Sequence, residues 1–365
     1  MTAGELRARR AAAQRLHRPD GADAGRVVRG LLAVQAQDGR AARLALRART
    51  TGLASVDIDA ALTDDRSLVV GWLMRVTLHL VAREDYAWLL GLTAAQGEAA
   101  SRRRLAQQGV TPDDADRAVA VVERALGDDG PLTRAELGER ITAAGVRAEG
   151  QALPHLLAVA ARRGIGLRGP VEDGEQRFVL ARDWLGAQPA VPLAGDARDA
   201  ALAELARRYL GGHGPASAAD LAAWSGLPLR DARRALEAIA RELAELPGGG
   251  DLVQLAARSD AGDRATAAAA LAPRLLPAFD PYLLGWKDRA FAVPARHAGR
   301  VHPGGGMIRA VVTADGVAVG TWGARRSGGR LAVEVAPFGR MSAAVRAALE
   351  ADAADVARFE GLEAG

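Results

Sequence analysis

The sequence predicts a mainly helical α+β fold of three tandem winged-helix (helix-turn-helix) units followed by a small C-terminal α+β cap. Three observations predict it. Aromatic residues make up 4% of a chain that is 49% hydrophobic, so its cores must be filled by Leu, Val and Ala, which favour helices. A pattern of short amphipathic helices, a glycine turn and a pair of strands comes round three times. Beyond Pro273 the texture changes to β-like runs joined through Asp315-Gly316, a strong hairpin signal. The 365 residues suffice for several cores. The expected boundaries are 1–105, 111–190 and 196–272 for the three units and 273–365 for the cap.

In the first unit, helices are expected over Glu5 to Leu16, Ala24 to Val34 and Ala41 to Thr50. Two strand candidates follow, Ser67 to Met74 and Thr77 to Ala82, and Tyr86 to Leu92 starts a further helix. The second unit opens with a helix over Asp113 to Leu126. Thr133 and Glu136 stand at capping-box spacing before the next one. Gln151 to Arg163 is the expected recognition helix, and the runs from Gly164 and from Glu175 form a hairpin by pattern. The third unit has the clearest signature: Ala201 to Leu210, then Ser217 through Trp224, a turn at Gly226, and Arg230 to Leu246 opened by Pro228. Leu252 to Leu255 would be part of its wing. In the cap, Met307 to Thr313, Val317 to Trp322 and Leu331 to Val335 read as strands, and Met341 to Phe359 as a closing helix.

Composition removes several classes of function. The chain has no cysteine, so thiolate nucleophiles, iron–sulfur clusters and thiolate zinc sites are excluded, and a reducing cytoplasm is the expected location. No apolar run approaches the roughly 20 residues needed to cross a bilayer, so no membrane partner is expected. The six histidines lack zinc-ligand spacing, and neither a Walker loop nor a GxSxG elbow is present. No metal and no cofactor are expected. Net charge is +4, and Lys287 is the only lysine. Arginine grips phosphates through two parallel hydrogen bonds, although a GC-rich genome would also enrich it.

Gln35 and Gln37 flank Ala36 after the apolar run Leu31-Leu-Ala-Val, and Asp38-Gly39 then breaks the pattern. The pair would sit at the C-terminal end of a helix, where the ordinary reading is helix-end polarity. A carboxamide can also accept from and donate to one water at once. Asp38 fits a cap or turn better than an electrostatic role.

Four stretches resemble the AlkZ-like family of DNA glycosylases. They are Gln35-Ala36-Gln37, the hairpin-like Leu73-Met-Arg-Val-Thr-Leu-His-Leu-Val, the string from Leu275 to Arg289 (LLPAFDPYLLGWKDR), and Val319-Gly-Thr-Trp. The resemblance spans nearly the whole chain. It implies three winged-helix units wrapped into a C-shape with a basic concave surface, and a catalytic Gln-x-Gln motif mapping onto Gln35 and Gln37. It further implies double-stranded DNA containing alkylated purines as substrate and a monomeric enzyme. Val76 departs from the pattern, standing where a small residue, usually Gly, is expected.

The implied chemistry fits the residues. Alkylation at N7 makes a purine cationic, so it departs as a neutral base without a general acid. Gln35 and Gln37 would position the attacking water and steady the charge developing on the sugar. A Schiff-base mechanism needs an amine, and only Lys287 and the N-terminal amine are present, so a monofunctional enzyme is expected. Arg40, Arg43 and Arg47 follow the glutamines at helical spacing as candidate DNA contacts, with Arg75 and His79 expected to line the same groove. A solvated arginine face is the alternative for the first three. A non-enzymatic winged-helix transcriptional regulator is the rival function.

Overall fold

Thr2, Thr111, Thr133 and Ser217 each open a helix through a capping box, in which the hydroxyl accepts from the backbone three residues on and an acidic side chain reaches back. Such reciprocal caps satisfy two otherwise orphaned donors, and they fix where each helix begins. The computed structural model describes residues 1–17, 21–258 and 271–365. The end of the third expected unit, over 259–270, lies outside the described residues. The fold is mixed α and β, and the chain forms two compact units, one from Met1–Ile58 with Ala203–Gly365 and the other from Asp59–Leu202.

In the discontinuous unit, helices Ala3–Ala13, Ala24–Leu31 and Gly39–Arg47 precede the long excursion of the chain. Helix Ala218–Ser225 ends on Gly226 at φ 77°, and helix Leu229–Ala238 follows. A left-handed residue here suits glycine, which has no Cβ to clash. The antiparallel pair Leu243–Glu245 and Val253–Leu255 completes this segment. Strands Arg274–Leu276, Val311–Ala314, Val317–Ser327 and Arg330–Pro337 then lie side by side, each antiparallel to the next. Helix Ala343–Phe359 closes the unit. The expected helix from Arg230 to Leu246 is shorter than its periodicity suggested, because the chain tightens at Ala240–Glu242 and turns into a strand at Leu243.

The string from Leu275 to Arg289 is a core plug, as its apolar content suggested. Tyr282 and Trp286 are buried, the Tyr282 hydroxyl donates to Gly316 O at 3.0 Å, and Trp286 Nε1 donates to His213 O at 3.0 Å. Asp280, fully buried, pairs with Arg49. Gly212 lets the backbone of residues 30 and 31 come close, since a Cβ there would lie 2.5 Å from Gly30 O. That approach seats the helix leading into the glutamine segment.

The second unit carries the 25-residue helix Arg83–Gln107 and helices Pro112–Asp128, Arg134–Ala143 and Ala152–Arg162. Its strands run in the order Leu78–Ala82, Leu68–Trp72, Gly166–Glu172, Glu175–Leu180, so the two hairpins share one sheet. The strands at 68–72 and 78–82 are buried throughout, which explains their near-continuous apolar sequence. Among the described residues no helix is long and apolar enough to cross a membrane.

Candidate active site

Leu31, Leu32, Ala33 and Val34 are all buried, and they anchor the chain just before the two glutamines. The helix that the sequence extends to Val34 stops at Leu31, because Leu32 takes a left-handed φ of 66°. Val34–Gln35 is extended rather than helical. The reading of Gln35 and Gln37 as the C-terminal end of a helix is thereby corrected. Gln35 ends the short extended segment, and Gln37 lies in the bend that leads into the N-terminus of the next helix. In extended chain, alternate residues face alternate sides. Ala36 is buried accordingly, whereas Gln35 is half-buried and Gln37 exposed.

Asp38 is the N-cap of helix Gly39–Arg47, its Oδ1 accepting from Ala41 N at 3.0 Å. The Asp-Gly pair that looked like the end of one helix is the beginning of another. That cap also fixes Gln37, one residue upstream, because it sets the direction in which the chain enters the helix.

The candidate arginines are mostly committed within the protein. Arg40 Nε donates to Glu360 Oε1 at 2.6 Å, and Arg326 Nη2 reaches the other oxygen of Glu360 at 2.7 Å. Glu360 therefore ties the start of the helix that follows the glutamines to the long 317–337 hairpin. Arg43 is half-buried and donates back to Gly39 O at 3.1 Å. Arg47 overturns the expectation of a phosphate contact. It is 2% exposed, its guanidinium donates to Asp352 and Asp355 and to Leu275 O, and no surface remains for a ligand. Burial alone would raise the Asp352 carboxyl, yet the Arg47 charge and hydrogen bonds hold it below its ordinary range.

Arg75 and His79 belong to the second unit and lie together there. Arg75 Nη2 is 3.5 Å from His79 Nε2, and His79 Nδ1 is 3.0 Å from Thr77 O. A carbonyl only accepts, so Nδ1 carries the proton and Nε2 faces the guanidinium. Burial, reinforced by the Arg75 charge, pushes the His79 imidazole down to about 3. At 1% exposure it is a neutral buried strut, and the expected groove-lining role is corrected to that. Alternation puts the ring on the face opposite Leu78 and Leu80, but both faces of this strand are covered. Arg75 and Val76 have φ of 51° and 64°, so the tight turn between the strands uses two left-handed residues where glycine would be unstrained.

Sequence reasoning missed Glu360 and Arg326 at this site. Neither carries a local motif, and only the return of the closing helix to residue 40, across 320 positions, shows their part.

Comparison with known proteins gives the class. A model of the family described as DNA glycosylase AlkZ-like matches residues 28–359, and the chain belongs to that family: it is a DNA glycosylase. A curated relative, the interstrand DNA cross-link repair glycosylase of Streptomyces sahachiroi, is 31% identical over 349 residues, covering 92% of this chain and 90% of the relative. The solved structure of the Streptomyces sahachiroi DNA glycosylase AlkZ is similar with a TM-score of 0.81 at 28% identity, over 100% of this chain and 98% of that one. A non-enzymatic regulator is not favoured.

Proposed function

We propose that this DNA glycosylase is monofunctional and hydrolyses the N-glycosidic bond of N7-alkylated purines in duplex DNA, including bulky adducts and interstrand crosslinks. The observation that carries the reading is the Gln35-Ala36-Gln37 segment, with buried Ala36 between half-buried Gln35 and exposed Gln37, in front of an Asp38-capped helix. The relative named for crosslink repair supports the substrate class. The enzyme acts as a monomer built from three winged-helix units.

In the proposed step, water oxygen bonds to C1′ of the sugar and loses one proton to solvent. The C1′–N9 bond breaks, and its electron pair returns to the base, cancelling the charge on alkylated N7. One carboxamide oxygen accepts from the water and orients it, and the other faces the positive charge growing on the sugar. No general acid is required, because the leaving base is already cationic. The chain carries a single lysine, Lys287, and this scarcity of side-chain amines supports hydrolysis over Schiff-base chemistry.

The test is release of N7-methylguanine from duplex by wild type, Gln35→Ala and Gln37→Ala, with binding measured alongside. Loss of one stabilising group should slow excision by about 10²-fold or more while duplex affinity is kept. Retained excision in both variants would remove the glutamines from the mechanism.

A further inference from the structure

The charge of this chain is concentrated in one stretch. Between Arg289 and Leu349 the sequence carries nine arginines and two acids, Asp315 and Glu334, a formal charge of +7 in a chain whose total is +4. Part of that excess surrounds a cavity of about 340 Å³ lined by Pro294, Arg296, His297, Val319, Phe338 and Arg340. The wall is built rather than loose. The Arg300 guanidinium carbon sits 4.3 Å from the Phe338 ring centre, and His297 stacks on the same ring at 4.5 Å and 29°. Arg296 Nε donates to His297 Nε2 at 3.1 Å.

No acid neutralises this group. Among the described residues Arg296, Arg300, Arg309 and Arg340 make no carboxylate ion pair, and the polar partners of Arg300 and Arg309 are the backbone oxygens of Pro337 and Arg300. Other exposed arginines are paired with glutamates, Arg207 elsewhere in the fold and Arg326 and Arg330 within the same stretch. Ser342, which caps the 17-residue helix Ala343–Phe359, lines the same cavity, adding the positive end of a helix dipole. The other end of that helix leads to Glu360 and Arg40. At 1.5 Å per residue the two ends are about 25 Å apart, so the cluster is separate from the glutamine segment.

We infer that Arg296, Arg300 and Arg340 form an anion site, which holds a backbone phosphate of the DNA duplex away from the reacting base. Arginine is suited to this, since its fork grips two phosphate oxygens at once. The Phe338 platform fixes Arg300 in place, which lowers the entropy lost on binding. The site contributes affinity without sequence preference, as phosphate contacts do.

The site would be tested with the full chain and an undamaged 24-base-pair duplex, whose affinity is measured by fluorescence anisotropy from 50 to 300 mM KCl. For Arg296→Gln/Arg340→Gln, the slope of log K against log salt should become shallower by about 2, reflecting two lost phosphate contacts. The low-salt Kd should rise about tenfold, and Arg296→Lys/Arg340→Lys should restore most of the slope. Single-turnover excision of N7-methylguanine at saturating protein should be unchanged. Because the slope is read on undamaged DNA, its outcome is independent of the glutamine mechanism. An unchanged slope overturns the site. So does saturation of the His297 ring resonances by millimolar inorganic phosphate with no effect of the double variant on duplex binding, which would make it a site for a free anion.

Discussion

Arg49 and Asp280 face each other with both side chains fully buried, Nη2 to Oδ1 at 2.7 Å and Nη1 to Oδ2 at 2.9 Å. Arg49 also donates to Ala45 O and to Gln14 Oε1, and Gln14 Nε2 donates to Gly212 O. One network thus joins the first helix, the helix after the glutamines and the Leu275–Arg289 string. Asp280→Ala should destabilise the protein by about 3–5 kcal/mol, because it strands a buried guanidinium. Replacing both partners, as Arg49→Met/Asp280→Leu, should recover most of that loss. Urea melts of the three variants check this, and a double variant no better than the single would mean that the network does more than compensate charge.

Asp38 caps the helix Gly39–Arg47, and a conservative change separates that role from an electrostatic one. Asp38→Ala should cost about 1 kcal/mol of stability and slow excision by displacing Gln37. Asp38→Asn keeps the cap and removes the charge, so it should restore both. If Asn restores stability but leaves excision slow, the carboxylate itself acts on the reaction.

The buried His79 makes stability depend on pH. Its imidazole is held near 3 in the fold and titrates near 6.5 once unfolded. The fold therefore favours the neutral form, and the contribution is complete above about pH 6.5 and lost as pH falls towards 3. Between pH 7.5 and pH 5 the wild type should lose about 2 kcal/mol through this group. His79→Asn should not show that component, which denaturant melts at the two pH values can isolate. Equal losses in both proteins would assign the acid sensitivity to other groups.

Val76 occupies a backbone conformation that suits glycine, at φ 64°. A left-handed β-branched residue costs about 1–3 kcal/mol, against about 0.5–1 kcal/mol for the extra freedom of an unfolded glycine. Val76→Gly should stabilise the second unit by about 1 kcal/mol, seen as a higher urea midpoint. A lower midpoint would show that the valine side chain gains more from packing than its backbone loses.

The local signals in the sequence were legible where chemistry acts over a few residues. Thr133 with Glu136, the turn at Gly226 and the Asp315-Gly316 hairpin all stand where spacing put them. The apolar string from Leu275 was readable as core. The site was only partly legible. The Gln-x-Gln run could be singled out, but periodicity carried the preceding helix too far, since Leu-Leu-Ala-Val gives no warning that Leu32 turns left-handed. Arg47 looked like a free cation at helical spacing from Arg40 and Arg43. Its acceptors, Asp352 and Asp355, lie some 300 positions away, and no window of sequence contains both. For the same reason, Arg47→Ala should lower stability by about 3–5 kcal/mol while leaving the salt slope of DNA binding intact in the folded fraction. A shallower slope would return Arg47 to the DNA surface.

The unit that holds the glutamines is assembled from two separate stretches, Met1–Ile58 and Ala203–Gly365, with residues 59–202 intervening. During translation, Arg40 and Arg47 leave the ribosome roughly 300 residues before Glu360 and Asp352. At about 5–20 residues per second that gap lasts about 15–60 s. For that interval the apolar run beside the glutamines has none of its distant neighbours, and the intervening unit is free to mature first. The arrangement delays assembly around the glutamine segment until residues 352–360 have been made, so products truncated before them would carry the motif without the surroundings that shape it.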